Sequence, residues 1–81
     1  MKKFYCLRLY RTVKRRVRYY TLRIYGTLEG EYLVEKEYGS VENKKPTRII
    51  KQYYLDFESA LNAIEKQYTV KYKKGYRKSI G

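Results

Sequence analysis

The residue types that could do chemistry in this chain are tyrosine, lysine and arginine. The 81 residues include 12 Tyr and 20 Lys or Arg, against 8 Asp or Glu, which gives a formal net charge of +12 at pH 7. Cationic side chains hold phosphate groups, and aromatic rings stack on sugars and bases. Many like charges on a small body also attract polyanions from a distance. The composition therefore predicts a surface that binds nucleic acid.

The same composition argues against catalysis. The chain has no His and one Cys, which excludes His-based acid–base catalysis, a Cys–His nucleophile and the usual zinc sites. Glu35 and Glu37 share a strand face without an apolar pocket that would shift a pKa, so we expect them to be solvated or paired with neighbouring bases. Cys6 lies mid-strand and is expected to be a small buried hydrophobic residue rather than a reactive thiol. We expect no enzyme activity, metal or cofactor.

Cysteine usage and hydropathy suggest where the protein works. A single Cys cannot form an internal disulfide, and the sequence shows no signal segment, so a reducing cytoplasmic location is the simplest expectation. No apolar run approaches the roughly 20 residues of a membrane span, so no membrane association is expected. The oligomeric state is left open.

Charge is unevenly distributed along the chain. Residues 1–28 hold nine Lys or Arg and no acid, and residues 29–42 hold five Glu and one Lys. Residues 43–81 hold ten Lys or Arg and three acids, a net +7. Such polarity favours an oriented contact. Two groups of basic residues are candidates for phosphate contact. They are Lys14, Arg15, Arg16 and Arg18, and Lys44, Lys45, Arg48 and Lys51.

Alternating apolar and polar residues predict four extended segments. These are residues 4–10, 19–25, 31–38 and 47–55. Between them we expect a charged link at residues 14–18, a hairpin turn at 26–30, a break at Gly39 and a polar loop at 40–46. The period of two places Lys36 and Tyr38 on one face of the third segment. In an ideal strand Arg48 and Lys51 lie on opposite faces, so only a bulge would let both touch one ligand.

The last part of the chain changes to a helical period. One stripe recurs every three or four residues and is expected to be core. It consists of Phe57, Leu61, Ile64, Tyr68 and Tyr72. Asp56 is a suitable N-cap, Gly75 a suitable stop, and residues 77–81 a basic frayed tail. The prediction is one α+β domain over residues 1–81, a small antiparallel sheet of about four strands packed against one long C-terminal helix.

In order, these landmarks resemble a WGR domain, the module named for a Trp-Gly-Arg signature. Residues 19–25 resemble its opening aromatic strand, and residues 31–41 resemble the strand that runs into the signature. The helix that begins Phe-Glu-Ser-Ala-Leu and closes Lys-Lys-Gly-Tyr resembles the ending of free-standing bacterial members. The resemblance covers residues 3–76. Here the signature reads Tyr38, Gly39 and Ser40, so only the glycine is kept.

The resemblance implies a function and a set of residues. In the DNA-damage-activated poly(ADP-ribose) polymerases, the domain contacts DNA near a break and docks against neighbouring domains. The signature aromatic packs on the sugar at a strand end, a role that would fall to Tyr38. Lys36 matches a position that is often basic in the family. Ser40 cannot supply the charge or fork of the family arginine.

Two classes of function follow from the sequence. The leading hypothesis is a non-catalytic nucleic-acid-binding module, with a preference for a DNA end, nick or single strand rather than for a sequence. RNA is not separated from DNA, because phosphates are common to both. The alternative is a protein-interaction module that docks a partner through exposed tyrosines and the acidic hairpin. The candidate nucleic-acid-binding residues are Lys36, Tyr38, Gly39, Ser40, Lys44, Lys45, Arg48 and Lys51.

Overall fold

Four consecutive strands pair in chain order to form one antiparallel sheet, and a helix follows them. The computed structural model describes residues 1–78. The elements are β1 (Lys2–Val13), β2 (Arg16–Gly26), β3 (Tyr32–Ser40), β4 (Arg48–Tyr54) and α1 (Phe57–Lys73). The predicted α+β fold is confirmed. No helix among the described residues combines the length and the hydropathy that crossing a membrane requires.

The connection between β1 and β2 is shorter than expected. It is a turn of two residues, Lys14 and Arg15, because β2 already begins at Arg16. Both turn residues have positive φ, 49° and 69°, as a type I′ hairpin turn requires. The predicted link at residues 14–18 is therefore mostly strand.

Gly39 does not break β3. It pairs with Tyr19, and the strand continues to Ser40. The loop after β3 folds back over this position, so that the Thr47 N–H donates to the Tyr38 carbonyl at 2.8 Å. A Cβ on Gly39 would lie 3.0 Å from the Thr47 nitrogen. Glycine is favoured here because a side chain would push the neighbouring backbone away by a few tenths of an ångström.

The ends of α1 are capped as predicted. The Asp56 side chain accepts a hydrogen bond from the Ser59 N–H at 2.7 Å, and Gly75 has a φ of 104°. The expected frayed tail is wrong at Arg77. Its N–H donates to the Tyr10 carbonyl at 2.8 Å and its carbonyl accepts from the Tyr10 N–H at 2.7 Å. Residues 79–81 lie outside the described part.

The helix covers one face of the sheet, which we call the helix-side face; the opposite face is the open face. The buried core lies between the sheet and α1. It contains Leu9, Tyr20, Leu22, Ile24, Val34, Ala60, Ile64 and Tyr76. Cross-strand partners lie on the same face and successive residues alternate, so these strand residues determine the faces of the other strand residues, except before Tyr5 in β1, where the register shifts.

The predicted helical stripe is core only in its centre. Ile64 is buried, and Leu61 and Tyr68 are partly buried against the core. Phe57 and Tyr72 are 37% and 46% exposed, because they lie at the two ends of the helix. Ala60 is fully buried although the stripe omits it. Its small side chain lets the helix approach the sheet closely.

Cys6 is exposed, contrary to expectation. It pairs with Arg23, which lies on the open face because Leu22 and Ile24 on either side of it point toward the helix. Hydrophobic neighbours in β1 could not indicate which face the helix covers.

Replacing Ile64 by Ala should lower the free energy of unfolding by about 2–5 kcal/mol, because it opens a cavity at the centre of the helix–sheet contact. Urea denaturation measures this loss. Leu55→Ala is the matched control, since Leu55 is 83% exposed and should change stability by less than about 0.5 kcal/mol. Equal losses in the two variants would contradict the described core.

Candidate nucleic-acid interface

Basic side chains surround Tyr38 on the helix-side face. Arg48 is its cross-strand neighbour on β4, and Lys36 precedes it by two residues on β3. Arg18 is its diagonal neighbour, because Tyr38 pairs with Tyr20 and Ser40 with Arg18. Strand geometry places the Cα atoms of all three within about 8 Å of that of Tyr38. One aromatic ring and three cations therefore share one corner of the sheet.

The next row toward the sheet end adds a fourth cation. Arg11 pairs with Arg18, so it lies on the same face. From above, α1 contributes Lys71, whose ammonium lies 4.4 Å from the centroid of the Tyr20 ring. We call this set the Tyr38 corner: Arg11, Arg18, Lys36, Tyr38, Arg48 and Lys71.

The Tyr38 ring is held in place by Tyr20. The two rings are parallel, with centroids 5.6 Å apart. Tyr20 is buried, and its hydroxyl accepts a hydrogen bond from the Gln67 amide at 3.1 Å. Tyr38 itself is half-buried. An aromatic ring fixed by packing and still reachable from solvent is suited to stacking on a planar or sugar ligand.

The pKa of Lys71 reflects its burial and the positive charges around it. Burial lowers the pKa of its ammonium below the usual range, and neighbouring charges lower it further, those of Lys74, Arg11 and Lys36. In residues 1–78, Arg23 is the one cation within ion-pair distance of a carboxylate. The corner thus holds positive charge that no described acid compensates. A bound anion would stabilise it.

The acidic residues of the sheet lie on the other face. The four strands contain two acids, Glu35 and Glu37, and both occupy the open face because Lys36 and Tyr38 occupy the helix-side face. Arg23 bridges them at 2.9 Å each. The expectation that they pair with a neighbouring base is confirmed. The helix-side face of the strands therefore carries basic residues and no acidic one.

A hydrogen-bonded network neutralises part of the open face. The Tyr19 hydroxyl donates to Glu37 at 2.9 Å, and the Arg8 guanidinium lies 4.2 Å from the centroid of the Tyr19 ring. Burial alone would raise the pKa of the Glu37 carboxyl. Hydrogen bonds from Arg23 and Tyr19 outweigh burial and lower the pKa. Two of the five Glu residues in 29–42 are therefore already paired with other side chains of the sheet.

The structure separates the residues predicted from sequence. Lys36, Tyr38 and Arg48 lie together. Ser40 lies on the same face, in the row of Arg18 and Arg11, and its hydroxyl oxygen is buried with no hydrogen-bond partner among the described residues.

The other predicted positions lie elsewhere. Lys44 and Lys45 are exposed in the loop between β3 and β4. Gly39 packs under the loop backbone and offers no side chain. Lys51 pairs with Glu35 and lies on the open face, opposite Arg48, as the period of two predicts. No bulge interrupts the strand to change its alternation.

Arg11 and Lys71 were not among the predicted site residues, and Arg18 was predicted as a phosphate contact of the charged link rather than as a neighbour of Tyr38. Arg18 precedes Tyr20 by two residues, so a longer second strand would have placed both on one face. Arg11 and Lys71 reach the corner through strand register and helix placement, which no local pattern contains. No group of three or more acidic, cysteine or histidine side chains positioned to hold a metal occurs in the part of the chain that the structure describes.

Comparison with known proteins finds no matching family model, no matching curated relative and no matching solved structure.

The Glu37 network should make stability depend on acid pH. The pKa of Glu37 is lower in the folded state than its ordinary value of 4.5, so its stabilisation is present above pH 4.5 and is lost as the pH falls through the lowered value. We expect Glu37→Gln to lower stability at pH 7 by about 1–2 kcal/mol. It should also flatten the acid limb of a plot of unfolding free energy against pH.

Glu42→Gln is the control for this prediction, because Glu42 is exposed in the loop after β3. Its acid limb should match that of the wild type. The network interpretation fails if Glu37→Gln keeps the wild-type slope below pH 4.5.

Proposed function

We propose that this protein is a non-catalytic nucleic-acid-binding domain of WGR type, which binds DNA according to its structure rather than its sequence. The observation that carries the proposal is the Tyr38 corner. It combines a fixed, reachable ring with four cations on the helix-side face of the sheet and one on α1, none of which pairs with a described carboxylate, and the strands place no acid on that face. The four-stranded sheet with a C-terminal helix is compatible with the resemblance.

Tyr38 acts as the stacking residue in this proposal. Its ring is supported by Tyr20, so little freedom is lost when a sugar or base packs on it. Bases within a continuous duplex are already stacked, whereas a strand end or a single strand offers a sugar or base face. Stacking of one base contributes about 1–3 kcal/mol. The corner therefore favours ends and single-stranded stretches.

The lysine and arginine side chains around Tyr38 hold phosphates. Lys36, Arg48 and Arg18 lie within one or two residue spacings of the ring, close enough to contact the nucleotides on either side of a stacked one. Lys44 and Lys45 add two exposed cations on the loop between β3 and β4. Phosphate contacts position the ligand without reading its sequence.

Two arginines near Tyr38 offer the guanidinium group that the signature lacks. The family places an arginine where Ser40 stands, and the hydroxyl of Ser40 cannot replace a guanidinium. Arg48 and Arg18 flank Tyr38 on two sides. Either guanidinium can hold a phosphate with two parallel hydrogen bonds. The chemistry of the missing arginine is thus available from neighbouring strands.

A second candidate function is docking of a protein partner, favoured by apolar side chains at the other end of the sheet. Leu28 and Leu55 are 97% and 83% exposed. Phe4 is half-exposed and packs against Tyr32 and Phe57. This end lies away from the Tyr38 corner, so both contacts could form together. A partner retained by the wild type after nuclease treatment, and lost in Leu28→Ser with Leu55→Ser, would support it.

Tyr38→Leu should weaken binding to a short blunt-ended DNA duplex about tenfold, because leucine keeps the packing on Tyr20 but removes the stacking ring. Binding to closed circular DNA should change by less than twofold. Fluorescence anisotropy with the linear duplex, competed by circular DNA, measures both affinities. RNA of the same sequence in a parallel titration separates the two polymers.

The control for this variant is Tyr53→Leu, since Tyr53 is 56% exposed on the open face. It should bind both DNA forms as the wild type does. Equal losses on linear and circular DNA in Tyr38→Leu would reject the stacking role.

The salt dependence of duplex binding should report the phosphate contacts. Four to six neutralised phosphates give a slope of about −4 to −5 in a plot of log affinity against log salt concentration. Arg48→Gln should reduce the slope by about 1. Lys51→Gln removes the same charge from the opposite face of the same strand and should leave the slope unchanged. A wild-type affinity that does not respond to salt would contradict the proposal.

A further inference from the structure

The β1–β2 hairpin extends beyond the rest of the sheet. The last pair between β2 and β3 is Arg18 with Ser40, whereas β1 and β2 continue to pair as far as Val13 with Arg16. Beyond that row, one hydrogen bond from the Val41 N–H to the Val17 carbonyl, 2.9 Å long, joins the hairpin to the chain after β3. Residues 12–17 thus extend beyond β3 as a two-stranded tip, and we call this tip, together with the adjoining row of Arg11 and Arg18, the basic ribbon.

The basic ribbon is named for its charge. Five of its eight residues are cationic and none is acidic; the five are Arg11, Lys14, Arg15, Arg16 and Arg18. All five are exposed, and none lies within ion-pair distance of a described carboxylate. Register places Arg11, Arg16 and Arg18 on the helix-side face. The ribbon therefore continues the positive surface of the Tyr38 corner without interruption.

The two residues at the tip are not the ones that its turn favours. Lys14 and Arg15 both adopt the left-handed region, at φ values of 49° and 69°. Type I′ turns favour Asn followed by Gly, because other side chains are strained there. No contact within the described residues requires lysine or arginine at the tip. The chain thus keeps two cations where a neutral pair would make a more stable turn, which points to a role in binding.

We propose that the basic ribbon lies in the major groove of a DNA duplex and contacts its phosphates, while the Tyr38 corner holds a strand end of the same duplex. This inference rests on the proposed function and narrows its ligand to an end that has duplex beside it. The row of Val13 and Arg16 lies four residues, about 14 Å, from the row of Tyr20 and Tyr38. The major groove is about 12 Å wide and admits a two-stranded ribbon.

A double variant, Lys14→Asn with Arg15→Gly, tests the proposal. It installs the favoured turn, so its melting temperature should equal or exceed that of the wild type. Its affinity for a blunt 16-base-pair duplex should fall about tenfold or more, and the log–log salt slope should become shallower by about 2. Its affinity for a single strand of the same length should fall clearly less than its affinity for the duplex, because no groove is present to receive the ribbon.

The matched control is Lys3→Gln with Lys66→Gln, which removes two exposed charges away from the basic ribbon. It should keep most of the wild-type affinity for the duplex. Equal losses of duplex affinity in the control and the ribbon variant would show that only net charge matters, and would overturn the inference. Equal losses on duplex and single strand would also overturn it, and a lower melting temperature would contradict the strain at the tip.

The two proposals fail in different ways. If the wild type binds neither duplex nor single strand, the proposed function fails and the ribbon inference fails with it. If the wild type binds duplex ends and Tyr38→Leu weakens that binding, but the ribbon variant matches its control, the ribbon inference alone is overturned.

Discussion

The contact between α1 and the sheet decides which strand residues can meet a ligand. Ala60 and Ile64 pack on the strand residues of the core, and this packing assigns one face of every strand to the helix. Because strand side chains alternate, Lys36, Tyr38 and Arg48 then lie on the helix side, and Glu35, Glu37 and Lys51 lie on the open side. A shift of one residue in any strand would exchange these sets.

This separation by face gives the two sides of the sheet different electrostatic roles. On the open face Arg23 and Tyr19 satisfy the carboxylates, so the network stabilises the fold and leaves little free negative charge. On the helix-side face the cations have no described acid, and burial, with repulsion from neighbouring cations added to it, lowers the pKa of Lys71. Such repulsion destabilises the compact state, and a polyanion relieves it. The unliganded protein therefore gives up some stability to this uncompensated positive charge.

Local patterns in the sequence predicted the features that depend on periodicity alone. The period of two placed Lys36 beside Tyr38 and put Lys51 on the opposite face from Arg48, and the helical period found Ile64. Local sequence patterns did not predict features that depend on contacts between distant parts of the chain. Cys6 is exposed because the helix covers the other face of β1, and Arg77 is ordered because it pairs with Tyr10. Arg11 and Lys71 reach the Tyr38 corner through register and packing, which no neighbour in sequence reveals.

We propose that nucleic acid contacts the Tyr38 corner and the face that bears the helix. A titration of ¹⁵N-labelled protein with a short blunt duplex tests it residue by residue, with a single strand and a non-nucleic polyanion in parallel. We expect the largest duplex-induced shifts at Lys36, Tyr38, Arg48 and Arg18, and none beyond noise at Tyr53 and Lys51. Shifts centred on the open face, or identical shifts with the simple polyanion, would contradict the account.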